Sequence, residues 1–250
     1  MTWNCQGGFH HKAQAIEVLQ PDLAIIQECE SPERLQAAGP EWTRRSIVWC
    51  GNVPTKGLAV VSFSGARLAV DPGHDLSLKY VLPVVVTDEP SFHLLAVWTK
   101  ENGTNQEWYI GQACLGIQKY APFIAGCEAI VAGDFNSSQA WDRPDRPYQH
   151  TDMVRALATH GLISVYHRYY RENQGSETRS TFYTARKKER GFHIHHCFLP
   201  EAWMPHVRSV KVGNYEDWRP LSDHCPIVVD IDFSAKKLVI RNWLQRMMHR

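Results

Sequence analysis

Short apolar runs punctuated by Gly, Pro, Asn and Asp recur along most of this 250-residue chain and predict many strands with a few helices between them. Residues 1–5 predict a strand at the very start, followed by a Gly7-Gly8 turn. Ala13, Ile16 and Leu19 fall at helical spacing, and that helix stops before Pro21. Leu23-Ala-Ile-Ile-Gln27 predicts a short buried strand with Glu28 at its C-terminal end. Ser31 as N-cap and Pro32 at the first helical position open a second helix. Strands are then predicted at 46–50, 58–63, 67–70, 79–87 and 92–100. A helix follows at 105–125, then a strand at 130–134 and a helix at 151–160 stopped by Gly161. The last strands fall at 162–167, 179–184, 191–199, 206–212 and 226–233.

Strands and helices mixed, then a run of strands, is a layout that occurs twice. It predicts an α/β domain with two sheets packed face to face and helices outside. One domain covers 1–233. The segment 234–250 differs: it carries Lys236, Lys237, Arg241, Arg246 and Arg250 with no acid, while Ile240, Trp243, Leu244 and Met247 keep helical spacing. Such a basic amphipathic tail either packs on its own domain or meets an anionic surface or protein partner.

Composition narrows the class. Hydrophobic residues at 44% and charged residues at 21% are ordinary for a globular protein, and a net charge of +1 announces no global nucleic-acid field. A local basic groove is compatible with that balance. Seven scattered cysteines without a C-x-x-C pair favour a reducing compartment. Met1-Thr-Trp-Asn-Cys5 shows no secretory leader, and the longest apolar run, near Val81–Val86, contains Pro83 and is too short to span a bilayer. A cytoplasmic location is the expectation.

Candidate chemistry gathers at strand ends. Ile130-Val-Ala-Gly-Asp134 runs into a polar loop with Asn136 two residues on, so an acceptor carboxylate and a donor-acceptor carboxamide are expected side by side. An Asx-rich turn accounts for the same residues. Glu28 directly follows four apolar residues and Gln27, either as a charge leaving for solvent or as a ligand. Asn4 sits near the first strand's end, and Ser222-Asp-His-Cys-Pro226 precedes the last buried strand. Glu and Asp oxygens suit Mg²⁺ or Mn²⁺, a nearby Asp activates water, and a His meets phosphate charge. No G-x-S-x-G elbow is present, and Ser222, Asp223 and His224 are chain neighbours, so a serine hydrolase has no support.

Trp3-Asn4-Cys5, Gln27-Glu28, Gly133-Asp-Phe-Asn136 and Ser222-Asp-His224 stand in an order and spacing that resembles the endonuclease/exonuclease/phosphatase superfamily. That group includes exonuclease III, pancreatic DNase, inositol-polyphosphate phosphatases and sphingomyelinases. The resemblance covers roughly residues 1–233. It implies a four-layer α-β-β-α sandwich, two mostly antiparallel sheets with outer helices, and divalent-metal phosphoester hydrolysis; DNA, RNA, a dinucleotide, an inositol phosphate and a phospholipid head group all stay open as substrate. By the same resemblance Glu28, with Asn4 and Asp223, would hold the metal, Mg²⁺ or Mn²⁺. Asp134 would activate water, Asn136 would hold the phosphate or that Asp, and His224 would donate to a phosphate oxygen.

The chain departs from the family pattern in two places. His195-His196 stands where an Asp-Tyr pair is usual, so the acid that accepts from the catalytic His is replaced by His195, which predicts weakened catalysis without loss of fold. His193 and His195 share one face of the expected strand, which allows a second reading as a Mn²⁺ or Zn²⁺ site. Trp98 stands where many members place a catalytic His or Tyr; it forms either an apolar wall for a flat leaving group or core. Trp141 and Arg143, in the loop after Asn136, are candidate substrate contacts, as are Tyr183 and Arg186. The leading expectation is a metal-dependent phosphodiesterase or nuclease. The alternative is a catalytically impaired member that binds nucleic acid, nucleotide or a partner.

Overall fold

Strict alternation along single strands sets the layers. The computed structural model describes residues 1–87, 90–100, 109–125 and 128–233. In chain order the strands are β1 (Thr2–Asn4), β2 (Leu23–Cys29), β3 (Ile47–Val53), β4 (Lys56–Ser62), β5 (Leu68–Val70), β6 (Val81–Val86) and β7 (Phe92–Trp98). They continue with β8 (Ala129–Asp134), β9 (Leu162–Ser164), β10 (Phe182–Tyr183), β11 (Gly191–Phe192), β12 (His195–Pro200), β13 (Val207–Val212) and β14 (Ile227–Ile231). The helices are α1 (Phe9–Glu17), α2 (Pro32–Ala38), α3 (Ile110–Lys119), α4 (Ala121–Ala125), α5 (His150–Thr159), α6 (Val165–Tyr170) and α7 (Tyr215–Trp218).

Two six-stranded sheets result, ordered β13-β14-β1-β2-β4-β3 and β5-β6-β7-β8-β12-β9, with β10 and β11 pairing as a small separate antiparallel ribbon. Both are mixed: β1 runs parallel to β2 and β7 parallel to β8, and the other pairings are antiparallel. Ile25 of β2 and Leu94 and Ala96 of β7 point into one core between the sheets. Their neighbours Ala24 and Ile26 face Phe9, Ile16 and Leu35 of α1 and α2. Leu95 and Val97 face Ile110, Ile117 and Leu157 of α3 and α5. The central strands β2 and β7 therefore bury both sides, and the helices close the outside: the four-layer sandwich that the chain's resemblance implied.

Four elements differ from the expected ones, among them the strand expected over 179–184, of which only β10 forms. The strand expected over 162–167 ends at Ser164, whose hydroxyl pairs with His167 Nδ1 at 2.6 Å, and Val165 and Tyr166 turn into α6 to bury themselves between the sheets. The strand expected over 191–199 is split into β11 and β12. Thr181 Oγ1 accepts from the N–H groups of both Ile194 and His195, at 2.9 and 3.0 Å, and so replaces a ladder partner there. Of the helix expected over 105–125, residues 105–108 lie outside the described residues, α3 ends at Lys119 and α4 restarts around Pro122, whose ring supplies no N–H to continue the ladder. The tail 234–250 lies outside the described residues. No helix among the described residues is long and apolar enough to cross a membrane.

Candidate active site

The site forms where β1, β2 and β8 end together at one edge of the two facing sheets. Asp134 is the last residue of β8, directly opposite Trp98 on β7 and His195 on β12. The close approach of β7 depends on Gly133, whose φ is 154° and whose added Cβ would lie 1.8 Å from Val97 O. Asp134 is fully buried. Its Oδ1 accepts from the Asn136 backbone N–H at 3.0 Å and its Oδ2 from Asn4 Nδ2 at 3.1 Å. Burial pushes its acid up to about 7, the two hydrogen bonds oppose that, and the charges of Glu28 and Asp223 add to it.

Asn4 is held by Ser222 Oγ, which donates to the Asn4 carbonyl at 2.8 Å, and it accepts from Gln6 N at 3.0 Å. Its amide also lies 3.4 Å from Glu28 Oε1, so one nitrogen serves both carboxylates. Glu28 is the extra residue of a bulge: the β2–β4 register shifts between Gln27 and Cys29, and Glu28 takes φ 60°. The bulge turns its side chain out of the strand alternation toward the site, where Oε2 meets Lys56 Nζ at 2.7 Å.

His224 is set by its own segment. Its N–H donates to Ser222 Oγ at 3.0 Å and Trp3 Nε1 donates to its carbonyl at 3.0 Å. His224 Nδ1 stands 3.0 Å from His195 Nε2 and 3.9 Å from Asp134 Oδ2, and its Nε2 is 3.7 Å from Asp223 Oδ1. Burial lowers His224 to about 3. Burial, then the neighbouring His224, holds His195 well below the ordinary imidazole range. Both rings are thus neutral at pH 7, and their approach to Asp134 is a carboxyl-to-neutral-ring contact, not an ion pair. Asp223 is raised by burial first and then by Glu28, with Arg186 and Lys12 opposing.

Other sequence candidates fall elsewhere. Asn136 does not lay its carboxamide beside the Asp134 carboxylate: at φ 44° it turns away, and Nδ2 donates to Thr99 O at 2.7 Å while its backbone N–H holds Asp134. Trp98 is 4% exposed and stacks on Tyr80 at 4.7 Å within the core between the sheets. Beyond Tyr80 opens a cavity of about 670 Å³ lined by Cys50, Gly51, Asn52, His74 and residues 76–80. Trp141 packs edge-on against Phe192 at 4.9 Å, and Arg143 is exposed. Tyr183 and Arg186 flank Asp223: Tyr183 N donates to its carbonyl at 2.8 Å, and Arg186 donates to Gln6 Oε1 and Arg219 O.

His193 does not join His195. It lies before β12, with Nδ1 2.7 Å from Arg179 O, and its ring packs on Tyr166, His167 and His196. The shared-face reading assumed a continuous strand, which the Thr181 contacts interrupt. The group of buried His150, His193 and His196 with half-buried His167 was not visible as a cluster, because its members come from three separate segments with no common spacing. Lys56, on Glu28, was likewise missed; a lysine at a strand start carries no signal of its partner.

No family model and no curated protein matches the sequence. Solved structures do. A 3′-5′ exonuclease from Neisseria meningitidis aligns at TM-score 0.66 and 18% identity, over 92% of this chain and 98% of its own. An AP endonuclease from Archaeoglobus fulgidus aligns at 0.62 and 17%, over 92% and 98%. The endonuclease domain of TRAS1, a telomere-specific non-LTR retrotransposon, aligns at 0.62 and 15%, over 92% and 95%. The fold is shared with these exonuclease and endonuclease structures. At these identities the likeness establishes the nuclease-like sandwich, whose strand ends here carry Asn4, Glu28, Asp134 and His224.

Proposed function

We propose that the protein is a divalent-metal-dependent phosphoester hydrolase, a phosphodiesterase of nuclease type acting on DNA. The observation that carries the reading is the buried Asp134, lifted to about 7 and held by a donor on each oxygen, beside a rim of two further acids. A carboxylate with that affinity for protons is a competent base near neutrality. Supporting the substrate class, a structural neighbour from Neisseria is a 3′ phosphatase bound to product DNA hairpin.

The acids fit a hard cation. Glu28 and Asp223 each raise the proton affinity of Asp134, so negative charge converges there; Asn4, whose nitrogen faces these acids and whose Oδ1 accepts from Gln6 N, would turn its amide to add a neutral oxygen. Mg²⁺ or Mn²⁺ needs only one or two carboxylates besides water and substrate phosphate. Glu28 with Asn4 and Asp223 would hold it, and it would stabilise charge on phosphate and leaving-group oxygens. Asp134 takes the proton of a water attacking phosphorus in line. Asn4 and the Asn136 N–H keep the carboxylate aimed during that transfer. His224 presents Nε2, on the Asp223 side, to a non-bridging phosphate oxygen.

One observation favours a second reading, a nucleic-acid or nucleotide binder with little turnover. His195 leaves His224 without a carboxylate on Nδ1 and so without the charge that would oppose the phosphate. Hydrolysis of an activated aryl phosphodiester and of a nicked or abasic DNA duplex, with Mg²⁺ or Mn²⁺ and an EDTA blank, separates the two. Turnover lost in Asp134→Asn supports the hydrolase. DNA binding without turnover at any pH tested supports the binder.

A further inference from the structure

We propose that Asp134 Oδ2, His195 Nε2 and His224 Nδ1 form a binding site for one divalent cation of the zinc and cobalt class, separate from the Glu28–Asp223 rim. Among the described residues these three bring ligand atoms of His, Cys, Asp or Glu together within 4.8 Å of one another. The separations are 3.0 Å between the two imidazole nitrogens, and 3.7 and 3.9 Å from Asp134 Oδ2 to His195 Nε2 and His224 Nδ1. A circle through three points so spaced has a radius of about 2.1 Å, which is the length of a zinc bond to an imidazole nitrogen or a carboxylate oxygen.

Donor chemistry points the same way. Two imidazoles and one carboxylate suit zinc or cobalt, whereas Mg²⁺ takes oxygen. A hydrogen bond between the two rings uses one lone pair and leaves Asp134 Oδ2 beyond hydrogen-bond reach of either. A cation between them engages all three lone pairs. The ligands are held in advance: His195 and Asp134 are register partners on neighbouring strands, His224 is fixed by Ser222 and Trp3, and Asn4 steadies Oδ2. Asp223 Oδ1, 3.7 Å from His224 Nε2, stands behind that ring as a carboxylate commonly stands behind a metal-bound histidine. All three ligands are buried. The site exists because of His195. If the hydrolase reading holds, a zinc-class ion here also takes Asp134 and His224 out of the reaction and suppresses Mg²⁺-supported turnover.

Titration of the full chain with Co²⁺ in excess Mg²⁺, followed by visible absorption, tests the site without reference to turnover. The expected result is one equivalent bound with the intense band of a low-coordinate, nitrogen-ligated ion. His195→Asn should weaken that binding by at least about tenfold, and Glu28→Gln should leave it in place. Absence of the band, unchanged binding in His195→Asn, or loss in Glu28→Gln overturns the proposal. Should His195→Asn fail to fold, X-ray absorption at the zinc edge of the native protein with one equivalent of Zn²⁺ decides: two imidazole ligands sustain the site and fewer sink it. Cobalt binding without hydrolysis keeps this site and removes the proposed function; hydrolysis without cobalt binding does the reverse.

Discussion

Asn4 Nδ2 donates to Asp134 Oδ2 at 3.1 Å, and this one bond joins the two sheets at the mouth of the sandwich. The same amide nitrogen lies 3.4 Å from Glu28 Oε1. It is the foremost influence holding the Asp134 acid down against burial. Asn4→Ala should therefore raise that acid further above about 7, by roughly one unit, and cut turnover at pH 7 about fivefold while sparing it more at pH 9. A pH–rate profile of kcat/KM checks this; an unmoved acid limb would show that Asp134 is not the base.

His195→Asp restores a carboxylate to His224 Nδ1, and the charge should return the His224 ring toward its protonated form. The same carboxylate faces Asp134 across the β8–β12 register and repels its ionisation. The two effects have opposite signs on rate at neutral pH. The expected outcome is a profile displaced to alkaline pH, with a maximum about tenfold above the native protein's. A maximum below the native one, in a variant with native circular dichroism, would mean that His195 itself serves the reaction.

Most of this architecture could be read from the chain. Ile25 against Ala24 and Ile26, or Leu94 against Leu95, are period-two alternations that need no tertiary information to predict burial on both faces. Asn4, Glu28 and Asp134 were found because each sits where an apolar run stops, and His224 because it stands just before one begins. What escaped was set by contacts between distant segments. Thr181 takes the N–H groups that would have continued β12, so His193 leaves the face of His195. The bulge at Glu28 and the left-handed turn at Asn136 redirect side chains that simple alternation assigns elsewhere. Trp98 needed the stacked Tyr80, eighteen residues before it, to be seen as core.

Lys56 Nζ, on a side chain 47% exposed, holds Glu28 Oε2 at 2.7 Å and competes with any cation for that oxygen. A pair this exposed is worth at most about 1 kcal/mol. Lys56→Met should lower the Mg²⁺ concentration for half-maximal activity by roughly two- to fivefold and leave the fold intact. Calorimetric titration with Mn²⁺ gives the same answer without substrate. A higher metal requirement in Lys56→Met would show that the lysine contacts substrate instead of guarding the ligand.

Buried imidazoles make the fold sensitive to acid before its carboxylates do. Burial lowers His150 and His193 to about 4 and His224 to about 3. Their folded values lie below the unfolded value near 6.5, so the stability they lend is whole above that pH and is lost as pH falls toward the folded values. Each contributes a loss of about 1.4 kcal/mol per pH unit within the window. Asp134 acts oppositely: its folded value is raised, so its contribution is full below the unfolded carboxylate range and is lost as pH rises through about 7. Glu172, held down to about 2 with hydrogen bonds from Thr178 and Tyr166 outweighing its desolvation, begins to cost stability only below about pH 4.5. Urea midpoints should thus fall steeply between pH 6.5 and 4.5, and His150→Asn, if folded, should reduce the loss of stability by about 1.4 kcal/mol per pH unit. A midpoint flat across that interval would mean that these rings are protonated in the folded protein.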